Sequence, residues 1–238
     1  MFRGKDDAAR RNSDRDRHPD AASAVTIRIL IADDHGIVAE GLRHLVAAQP
    51  DLEVIGLAEN GRDAVRAALA ARPDIVLMDH AMPLLNGTEA TRLIHARSPQ
   101  IRVIMLSMYS DAVHVYRALQ AGATGYIVKK SVAKEVVDAI QAVYRGSRYL
   151  SRQLADIVID HVVHHTAPAD PLERLSSRER QVLQLLAEGH SVAEIAATLS
   201  LSPKTVETYR ARMMEKLGIF ELAGLVRFAI QQGVTALD

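Results

Sequence analysis

The sequence predicts a doubly wound, five-stranded parallel α/β sheet followed by a small all-α domain of four helices. From Thr26 to residue 148, short apolar runs alternate with amphipathic stretches. Parallel strands need crossover helices, so this alternation implies a sheet covered on both faces. Beyond residue 171 only helical periodicity remains, punctuated by recognisable caps. Between the two, Thr166-Ala-Pro-Ala-Asp-Pro171 has the proline content of a linker.

Taken in order, residues 1–25 carry six basic and five acidic side chains and almost nothing apolar. Such a tail cannot bury enough surface to offset its ordering entropy and is expected to be disordered. The expected strands are Ile27–Ala32, Val54–Ala58, Ile75–Met78, Val103–Leu106 and Tyr126–Val128. Each is short and rich in Val, Ile or Leu, as strands buried on both faces are. Helical patterns lie between and after them: Ile37–Ala48, Gly61–Ala71, Thr88–Ala96, Asp111–Ala121 and Ala133–Tyr144. The sheet domain is therefore placed at 26–148, and 149–170 is read as a linker that includes a possible helix over Ser151–His165. In the last domain, 171–238, Ser176-x-x-Glu179 and Ser191-x-x-Glu194 fit the capping box. Ser202-Pro203 sets a capping hydroxyl before a proline at the first helical position. Gly189 and Gly218 stand where helices should stop. Four helices follow: 177–188, 192–199, 203–217 and 222–232.

The chain has 238 residues, no net charge and no cysteine. The last fact excludes disulfides, thiolate metal sites and a cysteine nucleophile. No apolar run is long enough to span a bilayer, no membrane partner is expected, and the charged N-terminus is unlike a signal peptide, so a cytoplasmic location is expected. Residues 171–238 hold eight Lys/Arg and eight Asp/Glu. DNA binding there must rest on where charge is placed.

In a doubly wound sheet, function gathers at the carboxyl ends of the strands. Those ends carry Asp33 and Asp34, then Asp79, Ser107 and Lys129. One aspartate after a strand is usually a cap or turn residue. Three carboxylates, a hydroxyl and an ammonium on one rim are a different matter. Clustered carboxylates repel, and a hard divalent cation such as Mg²⁺ removes that repulsion. The hydroxyl and ammonium suit a phosphoryl group, so the set fits attack of a carboxylate on a phosphoryl donor.

The stretches Ile29-Leu-Ile-Ala-Asp-Asp-His35, Val76-Leu-Met-Asp-His-Ala-Met-Pro83 with Gly87, Met105-Leu-Ser107 and Gly125-Tyr-Ile-Val-Lys129 resemble the receiver domain of response regulators. That resemblance implies a flavodoxin-like sheet with Asp79 as phosphoacceptor. Asp34, Asp79 and the backbone carbonyl of Ala81 would bind Mg²⁺, with Asp33 helping through water. Lys129 would pair with the phosphoryl group, Ser107 would swing to it, and Tyr126 would follow as an aromatic switch. The sequence departs from the pattern at Ala81, at His80 and at Lys130. Ala81 offers no side chain to guide water. His80 is read as packing or solvated. Lys130 is a second candidate ammonium, with strand spacing favouring Lys129.

On helix 203–217, Val206, Met213 and Leu217 fall within about 20° of one line at about 100° per residue, with Tyr209 beside them. Opposite lie Lys204, Thr208, Ala211 and Glu215, flanked by Thr205, Glu207 and Arg212. An apolar back with a small polar and basic front fits a major groove, though many amphipathic surface helices look alike. Leu175-Ser-Ser-Arg-Glu-Arg-Gln-Val-Leu183, Gly189, Ile195-Ala196, Leu199 and Ser202 through Gly218 resemble the LuxR-type helix-turn-helix. With a receiver before it, the chain resembles NarL/FixJ-family response regulators. The resemblance implies sequence-specific binding of double-stranded DNA, a sensor histidine kinase as phosphoryl donor, and a homodimer on DNA through Leu222, Leu225, Val226 and Ala229. Lys204, Thr205, Glu207, Thr208 and Arg212 are the expected DNA contacts.

The expected function is that of a two-component response regulator, not an enzyme. A phosphorylation-independent LuxR-type regulator is the alternative, and a ligand-sensing one would leave the acidic rim without purpose. A haloacid-dehalogenase-like phosphatase would need a second aspartate two residues after the nucleophile, where Ala81 stands. His161, His164 and His165 have helical spacing but no carboxylate or cysteine to complete a metal site.

Overall fold

The computed structural model describes residues 26–155 and 170–235. The expected tail at 1–25, most of the 149–170 linker and the three-histidine run at 161–165 lie outside the described residues.

Residues 26–150 build one parallel sheet in the order β2-β1-β3-β4-β5-β6. Its strands are β1 (Ile27–Ala32), β2 (Leu52–Ala58), β3 (Ile75–Asp79), β4 (Arg102–Ser107), β5 (Gly125–Val128) and β6 (Tyr149–Leu150). Five helices connect them: α1 (Gly36–Ala47), α2 (Gly61–Ala71), α3 (Gly87–Arg97), α4 (Ala112–Gln120) and α5 (Val132–Tyr144). The period of two divides each strand between two apolar layers. Ile29, Ile31, Ile75, Leu77, Ile104 and Leu106 enter one layer, with α1 and α5. Leu30, Ala32, Val76, Met78, Val103 and Met105 enter the other, with α2, α3 and α4. Alternation of polar and apolar residues is absent because both faces are covered.

One element was not expected. The sheet has six strands, because Tyr149–Leu150 pairs in parallel with Gly125 and Tyr126. Two half-buried residues carry no periodicity from which a strand could be read.

The helical unit comprises α6 (Ser177–Ala187), α7 (Val192–Leu199), α8 (Pro203–Leu217) and α9 (Leu222–Gln231), after a short 3₁₀ turn at Pro171–Arg174. Both capping boxes form: Ser176 and Ser191 accept from the amides of Glu179 and Glu194, whose carboxylates reach back. Ser202 caps α8 and accepts from Thr205 N–H. Val182, Leu183, Leu185, Ile195, Val206 and Met213 are buried in its core. Leu225 and Ala229 are buried there too. Only Leu222 and Val226 of the four residues assigned to a dimer face therefore reach the surface of α9, because the helix spends its apolar stripe on its own domain.

The two units pack against each other. Arg117 on α4 holds Asp170 with two hydrogen bonds (2.8 and 2.7 Å) and donates to the Gln232 carbonyl (2.7 Å). Glu89 on α3 accepts from Ser177 (2.7 Å) and pairs with Arg180. The loop after β3 docks on α6: Gln184 accepts from Asn86 N–H (2.8 Å) and donates to the Met82 carbonyl (2.9 Å).

Candidate functional site

Four of the five rim residues converge. Asp33 follows β1 and is 2% exposed, as is Asp79 at the end of β3. Lys129 follows β5, and its Nζ lies 3.0 Å from Asp33 Oδ2 and 2.9 Å from Asp79 Oδ2. Lys130 is exposed, and the ammonium that meets the two carboxylates is that of Lys129. Carboxylate oxygens of Asp33, Asp34 and Asp79, with a ring nitrogen of His35, all lie within 4.8 Å of one another.

A close approach of backbone to backbone holds the turn beside Asp79. Gly87 opens α3 against the turn after β3, its N–H donating to the His80 carbonyl (2.9 Å). A Cβ there would stand 1.9 Å from the Asp79 carbonyl oxygen, so only glycine fits.

Burial governs the electrostatics, and neighbouring charge acts on top of it. Burial, and then the charge of Asp33, push the Asp79 carboxyl up to about 7 against the pull of Lys129. Burial opposes the Lys129 ammonium, but Asp79 and Asp33 outweigh it and raise its pKa. The two shifts conflict if read as one isolated ion pair. They agree once three carboxylates are set against one ammonium.

The same surplus tests the site for a cation. Asp33 Oδ2 is buried, and the Lys129 ammonium 3.0 Å away is shared between it and Asp79. Three clustered carboxylates answered by one ammonium fit a hard, oxygen-seeking divalent ion. His35 is the member that sequence reasoning missed. Its Nδ1 lies 2.9 Å from Asp34 Oδ1 and 3.3 Å from Asp33 Oδ1, and its N–H donates to Asp33 (2.9 Å). Its place directly after the acidic pair was the available signal.

Ser107 is fully buried, and its Oγ accepts from Tyr109 N–H (3.1 Å) instead of meeting Asp79. Tyr126 is also buried, and its hydroxyl donates to the Tyr109 carbonyl (2.9 Å). Burial raises its pKa. Tyr109 thus joins the hydroxyl and the aromatic residue singled out from sequence. Its ring stacks on His114 at 4.1 Å and meets His80 edge-on.

His80 is packing, as expected of an imidazole at a strand end, but what it packs against could not be foreseen. Its Nε2 lies 3.0 Å from the carbonyl of Gly233, beyond α9. Burial, then the charge of His114, lowers its pKa to about 3, so it is neutral and donates from Nε2.

On α8 the orientation follows the wheel. Val206 and Met213 are buried, Tyr209 and Leu217 half-buried, and Lys204, Glu207, Thr208, Ala211, Arg212 and Glu215 exposed. Thr205 is half-buried. Thr208 Oγ1 donates to the Lys204 carbonyl (2.9 Å), which turns its methyl outward. The face opposite the core is open to solvent, uncovered by the sheet unit.

Comparison with known proteins agrees with this geometry. Residues 29–141 match the response regulator receiver domain, and 173–229 match the luxR family of bacterial regulatory proteins. Response regulator UvrY of Escherichia coli O6:H1 is 38% identical over 208 residues, 87% of this chain and 95% of its own length. Response regulator GacA of Pseudomonas aeruginosa is 38% identical over 208 residues, covering 87% and 97%. The solved structure of the RcsB response regulator of Salmonella typhimurium superposes with a TM-score of 0.54 at 25% identity, over 86% of this chain and 98% of that one. A receiver sheet carrying an acidic pocket, joined to a LuxR-type helix-turn-helix, places this chain in the family of LuxR-type two-component response regulators, to which it belongs.

Proposed function

We propose that this response regulator is switched by phosphorylation of Asp79 and regulates transcription by sequence-specific binding of α8 to double-stranded DNA. The observation that carries the first half is the convergence of Asp33, Asp34, Asp79 and Lys129 on one buried rim. The donor is a phosphohistidine of a sensor kinase, or a small acyl phosphate. A carboxylate oxygen of Asp79 forms the new bond to phosphorus. From phosphohistidine the P–N bond breaks and the departing imidazole takes up a proton; from an acyl phosphate the P–O bond breaks and a carboxylate departs.

Asp33, Asp34, Asp79 and the carbonyl of Ala81 would hold Mg²⁺, which would neutralise charge on the transferring oxygens. Lys129 orients the phosphoryl group with an ammonium already poised against Asp79. Ser107 would exchange the Tyr109 amide for a phosphoryl oxygen. That exchange frees Tyr109, which Tyr126 and His114 hold on its other sides. The pocket carries out a self-modification, without a second aspartate at Ala81 to drive turnover of a substrate.

The DNA half rests on the open polar face of α8 and on the match to the luxR family. RcsB, which shares this fold, interacts with DNA. A homodimer on DNA would use the exposed Phe220 and Leu222 with Val226. The chain works as a sheet unit that runs on through Leu150 and a helical unit, 171–238, joined by the residues between them. Its place of action is with the DNA, in the cytoplasm.

Incubation with acetyl phosphate and Mg²⁺ should add one phosphoryl unit to the intact mass, and Asp79→Asn should abolish the gain. Undiminished labelling of Asp79→Asn would overturn the assignment. Labelling that left DNA affinity unchanged would make the chain a phosphorylation-independent regulator.

A further inference from the structure

Between the sheet unit and the helical unit lies a cleft of about 810 Å³, bounded by α2 and α3 on one side and by α6 and the end of α7 on the other. Leu69, Leu85 and Leu93 give it an apolar floor. Its walls carry Arg62, Arg66 and Arg97 from the sheet unit and Arg178 from the helical unit, and no aspartate or glutamate.

Among the described residues, no carboxylate lining the cleft answers these charges. Arg66 pairs with Asp63 (2.8 Å), which lies outside the cleft. Arg178 donates to the side-chain oxygen of Gln181 (2.8 Å). Arg62 has its Nε buried with no hydrogen-bond partner. Burial, and then the nearby charge of Arg178, lowers the pKa of Arg62. Arg62 is half-buried while Arg66, Arg97 and Arg178 are exposed, so four like charges face one solvent-open cleft and repel one another. An anion supplied from outside relieves that repulsion, and the planar guanidinium fork matches phosphate oxygens in pairs.

We propose that the cleft binds an organic polyphosphate of the nucleoside di- or triphosphate class, with the phosphates on the four arginines and the ring on the leucine floor. The volume falls within the range of small-molecule sites, about 300–1,000 Å³. An apolar floor favours a compact ligand with a ring over a DNA backbone, which offers phosphates and sugars. Because the arginines come from both units, the ligand ties the units together. It would therefore act on the regulator independently of Asp79.

The test uses the full-length chain and adenosine triphosphate in buffer free of divalent cations. Calorimetry should find one site per chain, and saturation should raise the unfolding temperature. Arg62→Gln and Arg178→Gln should each weaken binding by about tenfold or more, as loss of a charge-assisted hydrogen bond does. Inorganic triphosphate should bind more weakly, because it leaves the leucines uncovered, and equal affinity would overturn the assignment of an organic ligand. Without ligand, Arg62→Gln should melt at a higher temperature than the unaltered chain. A lower one would mean that Arg62 stabilises the protein by itself and would count against a ligand site. Absence of saturable binding, or undiminished binding by both variants, would sink the proposal. So would arginine variants that lose affinity for duplex DNA while the nucleotide fails to bind.

Discussion

Asp79 is buried, faces Asp33 and is pushed up to about 7, so a sizeable fraction of it holds a proton at neutral pH in the absence of a cation. An unfolded aspartate has a pKa of about 3.9. Between these values the folded chain keeps a proton that the unfolded chain releases, so stability falls as pH rises from about 4 to about 7. Asp79→Asn removes that dependence. In buffer free of divalent cations, Asp79→Asn should unfold at a higher temperature than the unaltered chain at pH 7.5, and the gap should narrow toward pH 5. Thermal unfolding at several pH values checks this, and a gap that widened toward pH 5 would contradict it. Lys129 is the opposite case. Lys129→Met leaves two buried carboxylates unanswered, and breaking a buried pair typically costs about 3–5 kcal/mol. That Asp33, Asp34, Asp79 and Lys129 share one rim was open to sequence reasoning because each stands at a strand end. Tyr109 was not, since nothing in its neighbourhood sets it apart until Ser107, Tyr126, His114 and His80 are seen around it.

Helix α8 shows how far local rules reach. Its serine cap, its proline at the first position and its left-handed Gly218 fix both ends, and its apolar stripe fixes which side is buried. If α8 enters the groove as proposed, exposed Lys204 and Arg212 would reach phosphate. Replacing either with alanine should then weaken binding alike on all sequences and lower the salt slope by about one. Glu207 and Thr208 would lie nearer the groove floor, where the Thr208 hydroxyl is already occupied by the Lys204 carbonyl. Their alanine variants should change base preference at one or two positions by about 1–3 kcal/mol each. A salt titration on a selected site and on random DNA separates the two behaviours. Uniform losses for Glu207→Ala and Thr208→Ala would show that the helix is rolled differently in the groove. Ser202→Ala should cost about 1 kcal/mol of stability through loss of the cap. Short elements obey no such local rule: Tyr149–Leu150 becomes a strand only because β5 offers it a free edge.

At the scale of the whole molecule, the sheet unit grips the helical unit while leaving the polar face of α8 open. Arg117 and Asp170 carry much of the grip, with side chains 8% and 5% exposed. Leu84 adopts a left-handed backbone (φ 65°) to reach the helical core, a strained conformation for a bulky residue. His80, next to Asp79 in the chain, is itself tied to the Gly233 carbonyl. Arg117→Ala would strand a buried carboxylate, at a cost of about 3–5 kcal/mol. The expected result is separation of the two units, seen as faster amide exchange at the loop after β3 and at residues 232–235, with the strands of the sheet unchanged. Exchange that stayed unchanged at both segments would show that the pair does not hold the units together.

Length, strand and helix order, both capping boxes and the acidic rim were all determined by the sequence alone, because each depends on a period, a cap or a strand end that is local in the chain. The five strands read from apolar runs are those with both faces buried, where hydrophobicity leaves its plainest mark. Tertiary structure alone decided how the two units meet. Arg117 and Asp170, Glu89 and Arg180, His80 and Gly233 are separated by 53, 91 and 153 positions. Polar side chains at such separations show no periodicity, and each is an ordinary surface residue until folding brings its partner to it.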